Sequence, residues 1–258
     1  TIIIADTIKG NGVSFMETIG LDGLYKYHSG APSDDEYAAA VKELTVRTNN
    51  LLTEAGQEPL ILHTIQKSSP TITINGYENL IVAYGDELTR LGSEKKDIVV
   101  LDADLVKDCG LLKFKRQFPD RFVECGIAEQ DMVSVAGGLA LRGKLPIVHS
   151  FACFLSTRPN EQIYNNATEG KKIIYVGSLA GLLPATPGHS HQSVRDISCL
   201  CAIPGLTMIE PCNEEETRLA LRWAVEENQE STYIRLISIP RKLSYALPID
   251  YRLKKGSG

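Results

Sequence analysis

Over residues 76–241, short apolar runs alternate with stretches of helical spacing. This rhythm predicts an α/β fold with a parallel sheet covered by helices on both faces. Two further observations point the same way. The β-like run at 120–123 leads into a segment rich in small residues from Glu129 onward, a strand-to-helix junction of the kind where α/β sheets present their chemistry. Asn213 stands directly before Glu214-Glu-Glu216, an N-cap followed by acids in the first helical turn.

Residues 1–7, opening Thr1-Ile-Ile-Ile-Ala5, are apolar and β-branched and read as a parallel-type strand. Lys9-Gly-Asn-Gly12 makes a turn, and as a glycine pattern it is too weak to define a phosphate cradle. Helical spacing runs from Asp34 to Glu54, with Ser33 as N-cap and Glu36 completing a capping box. Gly56, Pro59, Ser68, Ser69 and Pro70 mark residues 56–75 as a connector. Beyond it, strands are expected at 98–102, 121–124, 145–149, 172–177, 206–209 and 232–237. Helices are expected near 76–92, 111–117, 129–142, 158–168, 192–202 and 213–227. The expected organisation is a partial domain at 1–55, a linker at 56–75, a complete α/β domain at 76–241 and a linker or tail at 242–258. The last residues, Lys254-Lys-Gly-Ser-Gly258, have the composition of a flexible linker.

At 258 residues and 43% hydrophobic composition, the chain has enough apolar material for an ordinary core. A net charge of −5 gives no sign of nucleic-acid binding, and no basic run is long enough to read as a membrane patch. No stretch approaches the about 18 apolar residues that a spanning helix requires. The six cysteines, at 109, 125, 153, 199, 201 and 212, show no Cys-x-x-Cys spacing. They read as buried free thiols, which implies a reducing compartment and a cytoplasmic location. The chain opens inside a β-like run, without an initiator Met, so a fragment of a longer chain or one half of a split enzyme is expected.

The most informative stretch is Glu124-Cys-Gly-Ile-Ala-Glu-Gln-Asp-Met-Val-Ser-Val-Ala-Gly-Gly-Leu139, which sets one carboxylate, Glu129, at the first turn of a helix. It resembles the pyrimidine-binding domain of thiamine diphosphate enzymes, most closely the transketolase family. In that family the glutamate of a Gly-Ile-Ala-Glu-Gln run activates the cofactor. The resemblance implies the thiamine diphosphate-binding fold, with 76–241 as the pyrimidine-binding domain and 1–55 as the end of the diphosphate-binding domain. Thiamine diphosphate must lose the proton on its thiazolium C2. The cofactor's own 4′-amino group removes that proton, in a form favoured by a carboxylate bonded to the pyrimidine N1′. The task needs a carboxylate held rigidly in a dry pocket. A lone glutamate in this position would only complement the helix dipole.

The same resemblance implies further site residues. Ser150-Phe-Ala-Cys-Phe154 matches the family's Thr/Ser-Phe-x-x-Phe run, so Phe151 and Phe154 are expected to bind the cofactor's flat pyrimidine. Arg158 takes the place of a substrate-facing arginine, although Pro159 and Asn160 depart from the usual Ala-Tyr. In Gly188-His-Ser-His-Gln192, His191 aligns with a histidine that faces the sugar. Pro187 replaces the family's acid there and His189 its proline. Asp104, in Ala103-Asp-Leu105, corresponds to an aspartate near the cofactor. His28, in His28-Ser-Gly-Ala-Pro32, corresponds to a catalytic histidine on the thiazolium side, with Ser29 as an extra residue. Arg235 ends the last expected strand and suits a substrate phosphate or carboxylate.

The family's Gly-Asp-Gly motif, which with a later Asn binds Mg²⁺ and the diphosphate, has only Leu21-Asp-Gly23 as a counterpart here. Hard cations need several oxygen ligands in one cage, so no metal ligand is expected in this segment. The Mg²⁺ site should lie on a preceding segment or a separate diphosphate-binding subunit, within a homodimer or an α₂β₂ assembly. The implied reaction is transfer of a two-carbon ketol unit from a ketose phosphate to an aldehyde. Three alternatives stand beside it. One is a 1-deoxyxylulose-5-phosphate synthase-like condensation of pyruvate with an aldehyde phosphate. Another is a 2-oxo-acid dehydrogenase β subunit, against which the His28 segment argues. The last is a non-catalytic subunit that completes another chain's cofactor site.

Overall fold

The computed structural model describes residues 7–19, 25–27, 32–62, 77–184, 187–242 and 247–256. The strand expected at 1–7 lies almost wholly outside the described residues, as do His28 and Leu21-Asp-Gly23. The chain divides into two compact units, residues 1–72 and 73–258.

In the first unit, helix α1 spans Asp34–Glu54. Ser33 Oγ accepts the Glu36 N–H and the Glu36 carboxylate accepts the Ser33 N–H, the reciprocal cap that the spacing predicts. A 3₁₀ turn at Ser14–Met16 is tied to α1 where Ser14 N–H and Oγ both donate to the Glu43 carboxylate at 2.9 Å.

The second unit is built on six parallel strands: β1 (Ile98–Asp102), β2 (Phe122–Glu124), β3 (Leu145–Phe151), β4 (Ile174–Ser178), β5 (Leu206–Ile209) and β6 (Ser231–Arg235). Their order is β2-β1-β3-β4-β6-β5. Helices α2 (Leu80–Glu94), α3 (Leu112–Gln117) and α8 (Glu214–Glu226) supply side chains to one core. Tyr84, Leu88, Phe114 and Leu221 meet Ile98, Val100, Ile147 and Ile174 there. Helices α4 (Glu129–Leu141), α5 (Ala152–Leu155), α6 (Asn160–Thr168) and α7 (Asp196–Leu200) supply the other. In it, Met132, Leu155, Ile163 and Leu200 meet Val99, Leu101, Val148 and Tyr175. Successive β1 residues thus feed opposite cores, because strand side chains alternate between faces. Two covered faces explain why the strands are apolar throughout.

Several boundaries differ from expectation, each for a local reason. Helix α2 starts at Leu80 because Asn79 Oδ1 accepts the Ile81 and Val82 N–H groups at 3.1 and 3.2 Å, capping it there. The helix expected at 192–202 shortens to α7 because Ser193 exchanges backbone hydrogen bonds with Gly181, at 2.9 and 3.2 Å. The run at 120–123 is a 3₁₀ turn, Pro119–Arg121, followed by β2. Residues 247–256, within the segment expected to be a linker or tail, are anchored: Tyr251 OH donates to Glu216 Oε1 at 3.2 Å and Lys255 meets Glu230. They help line a cavity of about 230 Å³ with Trp223 and Met208.

Candidate active site

Strand order reverses between β2-β1 and β3, so the carboxyl ends of β1 and β3 border a topological switch point, where α/β sheets bind ligands. The chain crosses from β2 to β3 through α4, whose first residue is Glu129. Met132, Val133 and Ala136 pin α4 into the core, and the Glu129 side chain is drawn inward to 3% exposure. Its Oε1 accepts Arg158 Nη1 at 2.6 Å and lies 3.4 Å from Ser150 Oγ, near the end of β3.

Phe151, which follows Ser150, and Phe154 pack together, their rings tilted by 40° with centroids 5.9 Å apart. His191 meets both edge-on, at 5.0 Å from Phe154 and 5.9 Å from Phe151. The Arg158 guanidinium lies 3.9 Å from the Phe154 ring centroid while it holds Glu129. Glu129, Arg158, Phe151, Phe154 and His191 therefore form one continuous cluster, although they come from three separate segments of sequence. His191 Nδ1 is 3.0 Å from Ser190 Oγ, and His189 is exposed on the same 3₁₀ turn. Among the described residues, no three His, Cys, Asp or Glu side chains converge to hold a metal ion.

Asp104 follows β1 in the left-handed region, at φ 61°, and its N–H donates to Glu124 Oε1 at 2.8 Å. Arg235 directs Nε to Asp196 Oδ2 at 2.7 Å, Nη1 to Glu210 Oε1 at 2.5 Å and Nη2 to the Ser193 carbonyl at 3.3 Å. Tyr233 OH donates to the same Asp196 oxygen at 2.9 Å. Arg235, expected to face a substrate, thus has its guanidinium taken up by two carboxylates and one carbonyl. His28 lies outside the described residues.

Two further polar groups, Asp102 and His149, are buried in the strands that lead to the site. Asp102, the last residue of β1, is fully buried and accepts the Leu105 N–H at 2.8 Å. Burial, then the nearby charge of Glu124, pushes its carboxyl up to about 8. His149 lies in β3 with Nε2 2.6 Å from Tyr84 OH and Nδ1 3.1 Å from the Leu101 carbonyl. Burial pulls it down to about 4, so the ring is neutral at ordinary pH.

Residues 79–242 match the family described as transketolase, pyrimidine binding domain. The chain belongs to the transketolase family. It is similar to a putative transketolase C-terminal section of Methanocaldococcus jannaschii, at 35% identity over 183 residues, covering 70% of this chain and 58% of that relative. It is also similar to a 1-deoxy-D-xylulose-5-phosphate synthase of Clostridium kluyveri, at 34% identity, covering 56% of this chain and 23% of the synthase. Among solved structures, a split gene transketolase described as an inactive β4 tetramer superposes with a TM-score of 0.61 at 33% identity, covering 70% of this chain and 58% of that one. This chain thus spans little more than half of the archaeal relative and a smaller part of the synthase. Transketolase-family relatives imply thiamine diphosphate dependence. The residues present fit the cofactor's pyrimidine, because a carboxylate nearly removed from water is joined through Arg158 to a pair of aromatic rings.

Proposed function

We propose that this chain forms the pyrimidine-binding side of a thiamine diphosphate site that transfers a two-carbon ketol unit from a ketose phosphate to an aldehyde. The observation that carries this reading is the Glu129 carboxylate, 3% exposed at the start of α4 and bonded to Arg158, whose guanidinium lies over the Phe154 ring. When bound, the cofactor supplies the carbanion chemistry that breaks and makes the carbon–carbon bond. Glu129 shares a proton with the ring's N1′. Phe151 and Phe154 present aromatic faces to the pyrimidine, and the Asp104 loop flanks the same edge. His191 and Arg158 meet substrate oxygens, the histidine as a proton donor or acceptor. His28 serves the thiazolium side. Arg235 acts through Asp196, fixing the turn that carries His191, unless a substrate oxyanion displaces its carboxylate partners.

The diphosphate and Mg²⁺ are held by residues outside this chain's pyrimidine-binding unit, on a diphosphate-binding subunit or segment. A symmetric assembly with the cofactor between domains, located in the cytoplasm, completes the reading. A second reading, condensation of pyruvate with an aldehyde phosphate, is favoured by one feature. Pro187 and His189 stand where transketolases carry an acid and a proline. The assembled enzyme, given ketose phosphates or pyruvate with aldehyde acceptors, decides between them. Transfer from a ketose without release of carbon dioxide supports the first reading. Carbon dioxide from pyruvate selects the second. Turnover of neither donor, with no cofactor bound, overturns both.

A further inference from the structure

We propose that Glu124 is a positioning residue for Glu129, clamping the loops that follow β1 and β2 so that the turn into α4 presents the Glu129 carboxylate in one fixed direction. The proposal rests on the assignment of Glu129 as the cofactor's proton partner.

One oxygen of Glu124 accepts two backbone N–H groups, from Asp104 at 2.8 Å and from Gly126 at 3.1 Å. Both of those residues lie in the left-handed region, at φ 61° and 66°. Asp104 carries a Cβ, so its surroundings must hold it in that conformation. At Gly126 a Cβ would meet nothing within 4 Å, so the glycine serves backbone conformation and not space. A carboxylate that accepts backbone N–H groups makes stronger bonds than a neutral acceptor. The same two loops are laced by Cys125 N–H to the Asp102 carbonyl at 2.9 Å, and the turn is closed by Ala128 N–H to the Gly126 carbonyl at 2.8 Å.

Only Ile127 and Ala128 separate this clamp from Glu129, and Ala128 at the N-cap offers no side-chain bond to steer the helix start. The direction of Glu129 therefore depends on the turn, and the turn depends on Glu124. An ordinary exposed glutamate would leave these amides to water. Here one side chain gathers both of them, one from the loop after its own strand and one from a residue 20 positions earlier in the chain.

The test compares Glu124→Gln, Glu124→Asp and Glu124→Ala. Gln keeps the reach and an acceptor oxygen, whereas Asp keeps the charge on an arm one carbon shorter. Amide hydrogen exchange is followed at Asp104 and Gly126 in the full chain. The affinity for thiamine diphosphate with Mg²⁺ is measured by calorimetry in the assembly with the diphosphate-binding half. The expected result is faster exchange at both amides and about tenfold weaker cofactor binding in Ala and Asp. Gln, which keeps the acceptor without the charge, should fall between wild type and Ala in both readings, and α4 should keep its helical signal in all three. Two results overturn the clamp: Asp behaving as wild type while Gln behaves as Ala, which marks a pure charge effect, or unchanged exchange in Ala. Faster exchange with unaltered cofactor affinity overturns the positioning of Glu129. If the wild-type assembly binds no thiamine diphosphate, the functional reading itself has failed, and this role falls with it.

Discussion

Arg158 bridges Glu129 and Phe154, its Nη1 at 2.6 Å from Glu129 Oε1 and its guanidinium carbon 3.9 Å from the Phe154 ring centroid. Glu129 is 3% exposed and Arg158 is 40% exposed, so the arginine is the acid's link to the surface. Removing it leaves a buried carboxylate with only Ser150 Oγ, at 3.4 Å, among the described residues. Arg158→Met keeps most of the stem packing and removes the charge. It should lower unfolding free energy by about 1–3 kcal/mol, read from urea denaturation near pH 8. Arg158→Lys should restore only part, because an ammonium cannot both stack on the ring and present a planar fork. An unchanged denaturation midpoint in the Met variant would show that the pair contributes nothing.

Glu129→Gln separates chemistry from folding. Gln retains an acceptor for Arg158 and nearly the same volume, so the melting temperature should move little. It cannot share the N1′ proton as a carboxyl group does, and turnover of the assembled enzyme should fall by about 10²–10⁴-fold. Wild-type turnover in this variant would remove Glu129 from the proposed role.

Local devices were the legible part of this structure. The Ser33–Glu36 box and the Asn213 cap each depend on residues within one helical turn, and α1 runs from Asp34 to Glu54 as its spacing predicts. What spacing could not convey was partnership across the sheet. Arg158 and Glu129 are 29 residues apart, and Arg235 and Asp196 are 39 apart. Arg235 looked free for a substrate because the Asp196 that engages it lies on another element. Glu124 carried one faint sign, an acid two residues before the Gly126-Ile-Ala-Glu-Gln130 run. His149 carried none, since a histidine in an apolar strand gives no indication of the tyrosine 65 residues earlier that bonds it.

Cofactor binding by this chain alone tests where the diphosphate grip resides. If the Mg²⁺ and diphosphate ligands belong to another segment, adding thiamine diphosphate and Mg²⁺ should leave the melting temperature of the isolated chain within its scatter. Adding the diphosphate-binding half should restore a ligand-dependent rise, because stabilisation scales with ligand concentration over the dissociation constant. A large rise for the isolated chain would place the cage on this chain.

Asp102 should make the second unit less stable as the solution becomes alkaline. Its folded carboxyl is pushed up to about 8 from the ordinary 3.8, by burial first and by Glu124 second. The folded state therefore keeps a proton that the unfolded chain releases. The stabilisation tied to that proton is complete below about pH 4 and lost as pH rises through about 8. Asp102→Asn mimics the protonated form at every pH. It should be more stable than wild type at pH 9, with the advantage shrinking towards pH 4, as chemical denaturation at a series of pH values would record. A constant difference between the two proteins over that range would mean that Asp102 does not hold the proton.

His149 imposes the opposite slope. Its Nδ1 lies 3.1 Å from the Leu101 carbonyl, so that nitrogen carries the hydrogen and Nε2 accepts from Tyr84 OH at 2.6 Å. Burial pulls the imidazole down to about 4 from 6.5, so the unfolded chain takes up a proton that the folded chain refuses. The associated stability is present above about pH 6.5 and is lost as pH falls towards 4. Tyr84→Phe keeps the ring in the core but leaves Nε2 without a donor. It should cost about 1–2 kcal/mol at pH 8. The acid-side slope should survive, because burial and not the hydroxyl sets it. The ring signals of His149, followed by NMR in both proteins, should show no titration above pH 5. A His149 that titrates near 6.5 in the wild-type protein would mean that water reaches the ring and that the Tyr84 bond is not what closes this part of the core.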